Sequence, residues 1–488
     1  MILKRFLLLL LLAWPMPLCA ANIHLESAAL GNVFIAGDPV SILVRSDTTR
    51  LSWRLKNFFG TDVGSGNFGA SSSGAILKVP VASPGYFALT VSSPDGTQIK
   101  TSIAVVSKPR PAVPNSPFGV MTHFAKGWPT DIIPLIETAG IHRVRDEQPW
   151  RKIEKSRGAY RFPAALPAYM EALKSHGIDP LLVLAFSNPL YDEDKTPYSD
   201  EGRKAFAAYA TAVANQYGKD ISAVEVWNEY NGSFCDGPCK TDRASYYTQM
   251  LKQTYGALKT ANPSLTVAGA AAVPIPIDYF RGLFKAGALD DLDAIVIHPY
   301  RKTPEGVEDK IGELRALMGK YGKDKPIWAT EYGDLADMKK SRDDVARYLV
   351  RMTTLLLSAN VGRIYWYLLK DYQEFSGLGL VRDEDDSMGR YVANPAYVAY
   401  AALIHELDGT HFVRREPAPS TARVYLFSDG KEDVRVAWAT DGPVQLSLQA
   451  PAQVMDMMGG HRPTASNAIT SVTLDDNPIY LLSKARSE

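Results

Sequence analysis

Ala223-Val-Glu-Val-Trp-Asn-Glu-Tyr-Asn-Gly232 begins as an apolar, β-branched run and stops abruptly in an amide and a carboxylate, Asn228 and Glu229. Such a run reads as a buried strand, and its polar finish lies at the strand's C-terminal end. Seven comparable runs surround it: Phe118–Phe124, His142–Glu147, Pro180–Phe186, Leu265–Ala271, Ala294–Tyr300, Ile327–Tyr332 and Ile364–Leu369. Amphipathic helical segments alternate with them, for example Glu201–Tyr217, Arg243–Thr260, Glu305–Tyr321 and Arg342–Asn360. Eight β–α units in succession predict an α/β fold, a (β/α)8 TIM barrel over residues 118–408. A doubly wound open sheet is the competing arrangement, but no glycine-rich phosphate loop follows the first strand.

The texture differs on either side of this region. Short alternating runs such as Val40-Ser-Ile-Leu-Val44 and Tyr86-Phe-Ala-Leu-Thr-Val91, separated by Gly, Pro, Asp and Ser turns, predict an N-terminal β-sandwich over residues 22–107. Residues 108–117 follow as a proline-rich stiff linker. Residues 409–488 return to short strands and read as a C-terminal all-β module, a second sandwich. At 488 residues the chain has ample material for these three units.

Basic and acidic residues balance at 53 each, so no global field draws nucleic acid or an anionic membrane, and any charged site must be local. Residues 1–21 have a basic start, an apolar stretch from Phe6 to Trp14 and small residues at Ala20 and Ala21, the pattern of a cleaved export signal. Pro15 and Pro17 stop the apolar run short of the ~20 residues a bilayer span needs, which disfavours a retained anchor. Lipid attachment at Cys19 is a further alternative, weakened by Leu18 before it. The expected location is secreted or periplasmic, without stable membrane insertion after cleavage. Cys235 and Cys239 are the other two cysteines, and in an oxidising compartment they are expected to form a short-loop disulfide.

In a (β/α)8 barrel the C-terminal strand ends form the rim where active sites are built. Here strand one ends at His123, strand two carries Arg145, Asp146 and Glu147, and strand three runs into Asn188. Strand four ends in Asn228 and Glu229, strand six in His298 and Tyr300, strand seven in Glu331, and strand eight holds Trp366. Period-two alternation places His298 and Tyr300 on one face with Ala294 and Val296, and Glu331 with Ile327 and Ala329, all expected to point inward. Two rim carboxylates meet the requirement of glycoside hydrolysis, in which one protonates the leaving oxygen and the other attacks the anomeric carbon or activates water. Arg145, Tyr300 and His298 are expected to hold Glu331 ionised, while Glu229 beside Trp227 is the less solvated acid. Glu225, four residues deeper than Glu229, is expected to be an interior partner for Arg143 or Arg145. Asp146 and Glu147 read as sugar-binding or solvated.

These ordered motifs, "EVWNE", "HPY", "ATEYG" and "RDEQPWRKIEKSRGAYRF", make the chain resemble the retaining glycosidases with catalytic glutamates on strands four and seven. Within that clan it looks most like the family of β-xylosidases, α-iduronidases and biofilm exopolysaccharide glycosidases. The resemblance implies Glu229 as acid/base and Glu331 as nucleophile, with Asn228, Arg145, His298, Tyr300 and Trp366 as substrate contacts. His123 and Asn188 complete the expected substrate-binding set. No cofactor and no metal are expected, and the expected partner is a polysaccharide or oligosaccharide. The competing functions are a non-catalytic sugar-binding barrel, an exo-acting glycosidase on short oligosaccharides, and a metal-dependent hydrolase built on His123 and His298. The last lacks the paired ligand spacing of metal sites.

Overall fold

A computed structural model describes residues 21–334, 340–372, 375–461 and 468–485. The expected export signal lies outside the described residues apart from Ala21. Among the described residues, no helix is long and apolar enough to cross a membrane.

The centre is a closed barrel of eight parallel strands: Phe118–Met121, Arg143–Pro149, Asp179–Ala185, Ala223–Val226, Thr266–Ala272, Ala294–Ile297, Ile327–Tyr332 and Arg363–Trp366. Strand eight closes onto strand one through Ile364 opposite Phe118 and Trp366 opposite Val120. A helix follows each strand, and three long ones are capped as their sequences suggest. Ser199, Asp242 and Ser341 accept from the backbone N–H groups of Gly202, Ser245 and Asp344.

Alternating side chains divide the barrel into two layers. Val224, Val226, Ile295, Ile297, Ile364 and Trp366 join the large core between strands and helices. Leu181, Ala223, Ala268, Ala294, Val296, Trp328 and Tyr365 fill the interior. Large rings opposite small residues let the interior pack without voids. Tyr365 leaves no room across from it: a Cβ on Gly119 would meet its ring at 2.4 Å.

Strand seven departs from the expected alternation. Ile327 and Ala329 face the helices, whereas Trp328 and Thr330 face inward. Glu331 nevertheless reaches the interior because pairing with strand eight shifts between Ala329 and Tyr332, a bulge that re-aims one side chain. Tyr332 then returns to the outer layer, sharing a hydrogen bond with Thr353.

The N-terminal region forms a three-stranded and a five-stranded sheet around Val44, Leu55, Leu89, Val91 and Ile103. It grips the loop after strand eight, where Thr101 and Ser102 hydroxyls donate to the carbonyls of Met388 and Ala393. The C-terminal region is all-β, as expected, with six strands hydrogen-bonded in sequence. Its strand Val444–Asp456 pairs with Ile469–Leu474 along one part and with Ile479–Lys484 along another, so one sheet encloses its own small core. This sheet bonds the barrel helices: Trp438 Nε1 donates to Glu305, Tyr425 to Glu308, and Arg347 Nε to Asn477.

Because the interior has no slack at strand one, Gly119→Ala should destabilise the protein by roughly 1–3 kcal/mol. Denaturant unfolding would measure this, and an unchanged midpoint would contradict the close packing described.

Candidate active site

At the C-terminal mouth the residues of strand four leave the extended path, with Trp227 at φ 69° and Glu229 at φ 41°. Non-glycine residues hold such angles only where the surroundings enforce them. The turn buries the Trp227 indole among Phe186, Phe206 and Tyr230, its Nε1 donating to the Phe234 carbonyl. Glu229 is thereby directed to the mouth, and Trp227 is a packing anchor for that turn.

Strand two supplies Arg145, 1 % exposed, whose guanidinium organises the floor. Nε and Nη2 donate to the two oxygens of Glu225 at 2.9 and 2.7 Å. Nη2 also donates to Asn228 Oδ1 at 2.8 Å, and Nη1 donates to Glu331 Oε1 at 2.5 Å. Arg143, the other partner considered for Glu225, instead pairs with Asp179 at 2.5 Å. Burial alone would raise the Glu225 carboxyl, but Arg145 and His298 overcome it and hold it at about 2.

Strand six supplies the second cation. His298 Nδ1 lies 2.9 Å from Glu229 Oε1 and Nε2 lies 3.0 Å from Thr330 Oγ1. Its contacts with Glu331 and Glu225 are longer, 3.7 and 3.8 Å. Burial pushes this imidazole down, but the charge of Glu331 and the bonds to Glu225 and Glu229 outweigh it and lift it to about 9. His298 thus acts on Glu331 through charge at 3.7 Å, while its direct hydrogen bond is to Glu229. Tyr300 donates to Glu331 Oε2 at 2.8 Å, so Glu331 is held by Arg145 and Tyr300 together.

Glu229, His298 and Glu331 present donor atoms all within 4.8 Å of one another, the one such group among the described residues. Their spacing would suit a divalent cation, and Arg145 already pairs with Glu331 at this point. His123 does not join the group, which removes the histidine pair on which the metal-hydrolase alternative rested.

Three expected substrate contacts are placed differently. Trp366 is fully buried on the helix side of strand eight, packed on Tyr332 and Tyr348 with Nε1 donating to the Leu378 carbonyl. Asn188 is 1 % exposed and is spent on its own loop, donating to the Glu154 carbonyl and accepting from Leu190 N–H. His123 is buried among Trp128, Tyr367 and Tyr372, and burial first, then Lys126 and Arg145, lowers it to about 3. Asp146 is likewise neither solvated nor free for sugar: it accepts from Thr122 Oγ1 and from the backbone N–H of Phe124 and Ala125, fixing the loop that carries His123. Glu147 pairs with Lys126 at 3.0 Å.

The sequence reading missed Tyr367 and the pair Phe186 and Phe234. Tyr367 stands 6.3 Å from Tyr300, ring to ring, and continues as an aromatic wall to His123 and Trp128. Phe186 and Phe234 stack at 5.0 Å on the other side, and Phe234 is 39 % exposed. Strand-eight parity was the available signal, since Tyr365 and Tyr367 share the face opposite Trp366. Cys235 and Cys239 are joined by a disulfide, Cα to Cα 6.1 Å, in the loop that presents Phe234.

Residues 198–390 match the family model of the glycosyl hydrolase catalytic core. The matched span contains Glu229, His298, Tyr300 and Glu331 but not Arg145. A family 39 glycoside hydrolase from the gut symbiont Bacteroides cellulosilyticus is similar in structure at 22 % identity and TM-score 0.77, covering 94 % of this chain and 99 % of that one. The catalytic domain of a xylanase C from Talaromyces cellulolyticus is similar at 16 % identity and TM-score 0.55, over 76 % of this chain and 96 % of that one. A β-xylosidase from Caulobacter crescentus is similar at 18 % identity and TM-score 0.53, over 77 % and 97 %. No curated protein matches the sequence. The barrel thus carries a glycosyl hydrolase catalytic core.

The His298 proton links folding to pH. An unfolded imidazole titrates near ~6.5, and the folded one at about 9. Stability from this proton is complete below the unfolded value and lost as pH rises through the folded one. Denaturant titrations across that window should show the wild type losing stability relative to His298→Gln; parallel curves would overturn the imidazolium assignment.

Proposed function

We propose that this glycosyl hydrolase barrel is an exported retaining enzyme that cleaves glycosidic bonds of a polysaccharide, such as a bacterial exopolysaccharide, by double displacement. The observation that carries the reading is the approach of Glu229 and Glu331, with oxygens within 4.8 Å of each other from opposite sides of the mouth. Retaining enzymes hold their carboxyl groups roughly 5–5.5 Å apart, whereas inverting ones need about 6.5–9.5 Å to admit a water.

In the first step Glu331 attacks the anomeric carbon, the bond to the leaving oxygen breaks, and Glu229 gives that oxygen its proton. A glycosyl ester on Glu331 results. In the second step Glu229, now a carboxylate, takes a proton from water as the water oxygen displaces Glu331 from the same carbon. Both groups end as they began.

The surrounding charges suit this cycle. With Glu229 protonated, Arg145 and His298 balance Glu225 and Glu331. Once Glu331 is esterified and Glu229 has lost its proton, the same two cations balance Glu225 and Glu229. The buried cluster is neutral in both states, so neither half-reaction leaves an uncompensated charge in a poorly solvated site. Asn228 has its Oδ1 fixed by Arg145, which leaves its amide N–H groups as donors to a sugar hydroxyl.

Two features support the finer reading. The Phe186–Phe234 stack beside the proton donor offers a flat apolar face to a sugar on the leaving-group side, as a polymer substrate requires. The Cys235–Cys239 disulfide agrees with an oxidising compartment and with the export signal expected at residues 1–21.

Glu331→Gln and Glu229→Gln should each lower turnover by at least about a thousandfold while the fold persists. With a leaving group that needs no protonation, Glu229→Gln should keep the first step, and azide should restore the second; equal loss on every substrate without rescue would refute the roles. The first-formed sugar should keep its anomeric configuration by NMR, and an inverted product would exclude the ester intermediate. Screening polysaccharides and aryl glycosides with product sizing would test the polymer substrate.

A further inference from the structure

The segment Trp150–Phe162 has a structural centre and a charged remainder. Glu154 is the centre: its carboxylate accepts from Trp150 Nε1 at 2.6 Å, from Gly158 N–H at 2.7 Å and from the Tyr191 hydroxyl at 2.7 Å. Around it stand five cations, Arg151, Lys152, Lys155, Arg157 and Arg161. Arg151 is paired with Asp194 and Arg157 with Glu201. The other three converge on an open cavity of about 360 Å³, with Ile153, Ser156 and Phe162 also in its wall and no acidic residue among its lining. Among the described residues, no carboxylate forms an ion pair with Lys152, Lys155 or Arg161.

The cavity adjoins the mouth. Lys152 Nζ donates at 2.9 Å to the carbonyl of Ala125, in the strand-one loop that carries His123 and Trp128. One loop therefore separates Lys152 from the aromatic wall, and Arg151 of the same segment donates to the carbonyl of Ser187, next to Phe186.

We infer that Lys152, Lys155 and Arg161 form a distal subsite for an anionic substituent of the glycan, a uronate carboxylate or a sulfate ester, borne on a sugar beyond the one being cleaved. This inference rests on the glycosidase reading and adds the substrate class to it. Three like charges around one concavity repel each other until an anion enters, and a ligand there is rewarded by charge-assisted hydrogen bonds. The Arg161 guanidinium matches a planar carboxylate or a sulfate through paired N–H donors. Phe162, half-buried at the cavity wall, supplies apolar surface for the sugar ring that carries the anion. Because these charges are exposed, their contribution falls as salt rises.

The test is calorimetric titration of the full chain at low salt with an oligogalacturonate, its carboxyl-reduced neutral counterpart, a sulfated galactan oligomer and inorganic sulfate. The wild type should bind a charged oligomer at least about tenfold more tightly than the neutral one, with affinity falling as salt is added. The carboxylate and sulfated arms identify the substituent. Lys155→Ala combined with Arg161→Ala should erase the preference and flatten the salt dependence, and both residues are exposed, so thermal unfolding should be unchanged. Equal affinity for acidic and neutral oligomers, inorganic sulfate binding as tightly as either charged oligomer, or a double variant that behaves as wild type would each overturn the inference. Hydrolysis of a small neutral aryl glycoside should be unaffected in the double variant, which keeps this outcome separate from the roles of Glu229 and Glu331.

Discussion

Everything at the mouth is referred to one buried guanidinium. Arg145 projects from strand two into a barrel that has almost no water to offer it, and a buried cation is tolerated only if its donors are met by charge and geometry together. Its donors go to Glu225, Asn228 and Glu331, so one planar group sets the relative positions of side chains from strands four and seven. Glu225 makes this possible. As the deeper carboxylate it neutralises the arginine, so that Glu331 is oriented by the same fork without being the arginine's sole counter-ion. His298 repeats the logic across the mouth, joined closely to Glu229 and more distantly to Glu225 and Glu331. Two cations and three carboxylates thus form one connected unit.

What the sequence made legible follows from periodicity and from chemistry concentrated at strand ends. The barrel was readable because its strands are continuous apolar runs, and Glu225 and His298 fell on the interior as alternation demands, whereas Glu229 is aimed by the turn beyond its strand. Glu331 points inward as expected, but for a different geometrical reason. Strict alternation grouped it with Ile327 and Ala329, whereas a local bulge turns it inward, and no residue type in Ile327–Tyr332 announces that shift. Trp366 was misplaced because an aromatic residue at a strand end reads equally well as sugar platform or as core, and only strand-eight parity, with Tyr365 in the interior, separates the two. Asn188 illustrates a different limit. A polar side chain in a loop after a strand can face the ligand or hold the loop, and the carbonyl of Glu154 that claims it lies 34 residues away. The curled C-terminal sheet was out of reach for a similar reason, since strand pairing partners depend on a change of register within one long strand.

The braces on the two proposed reacting groups are of different kinds. Behind Glu331, the C-terminal sheet is bonded to Glu305 and Glu308, at the entry to the helix Val307–Lys320, and to Arg347 in the helix Arg342–Ser358. That support is distributed, non-covalent and indifferent to electron donors. The loop that follows Glu229 is instead closed by a ring of sulfur chemistry between Cys235 and Cys239. A reducing environment therefore acts on one side of the mouth alone. It would loosen the surroundings of Glu229 and leave those of Glu331 braced, so the redox state of the compartment bears on the carboxylate that handles the proton in both steps of the proposed cycle.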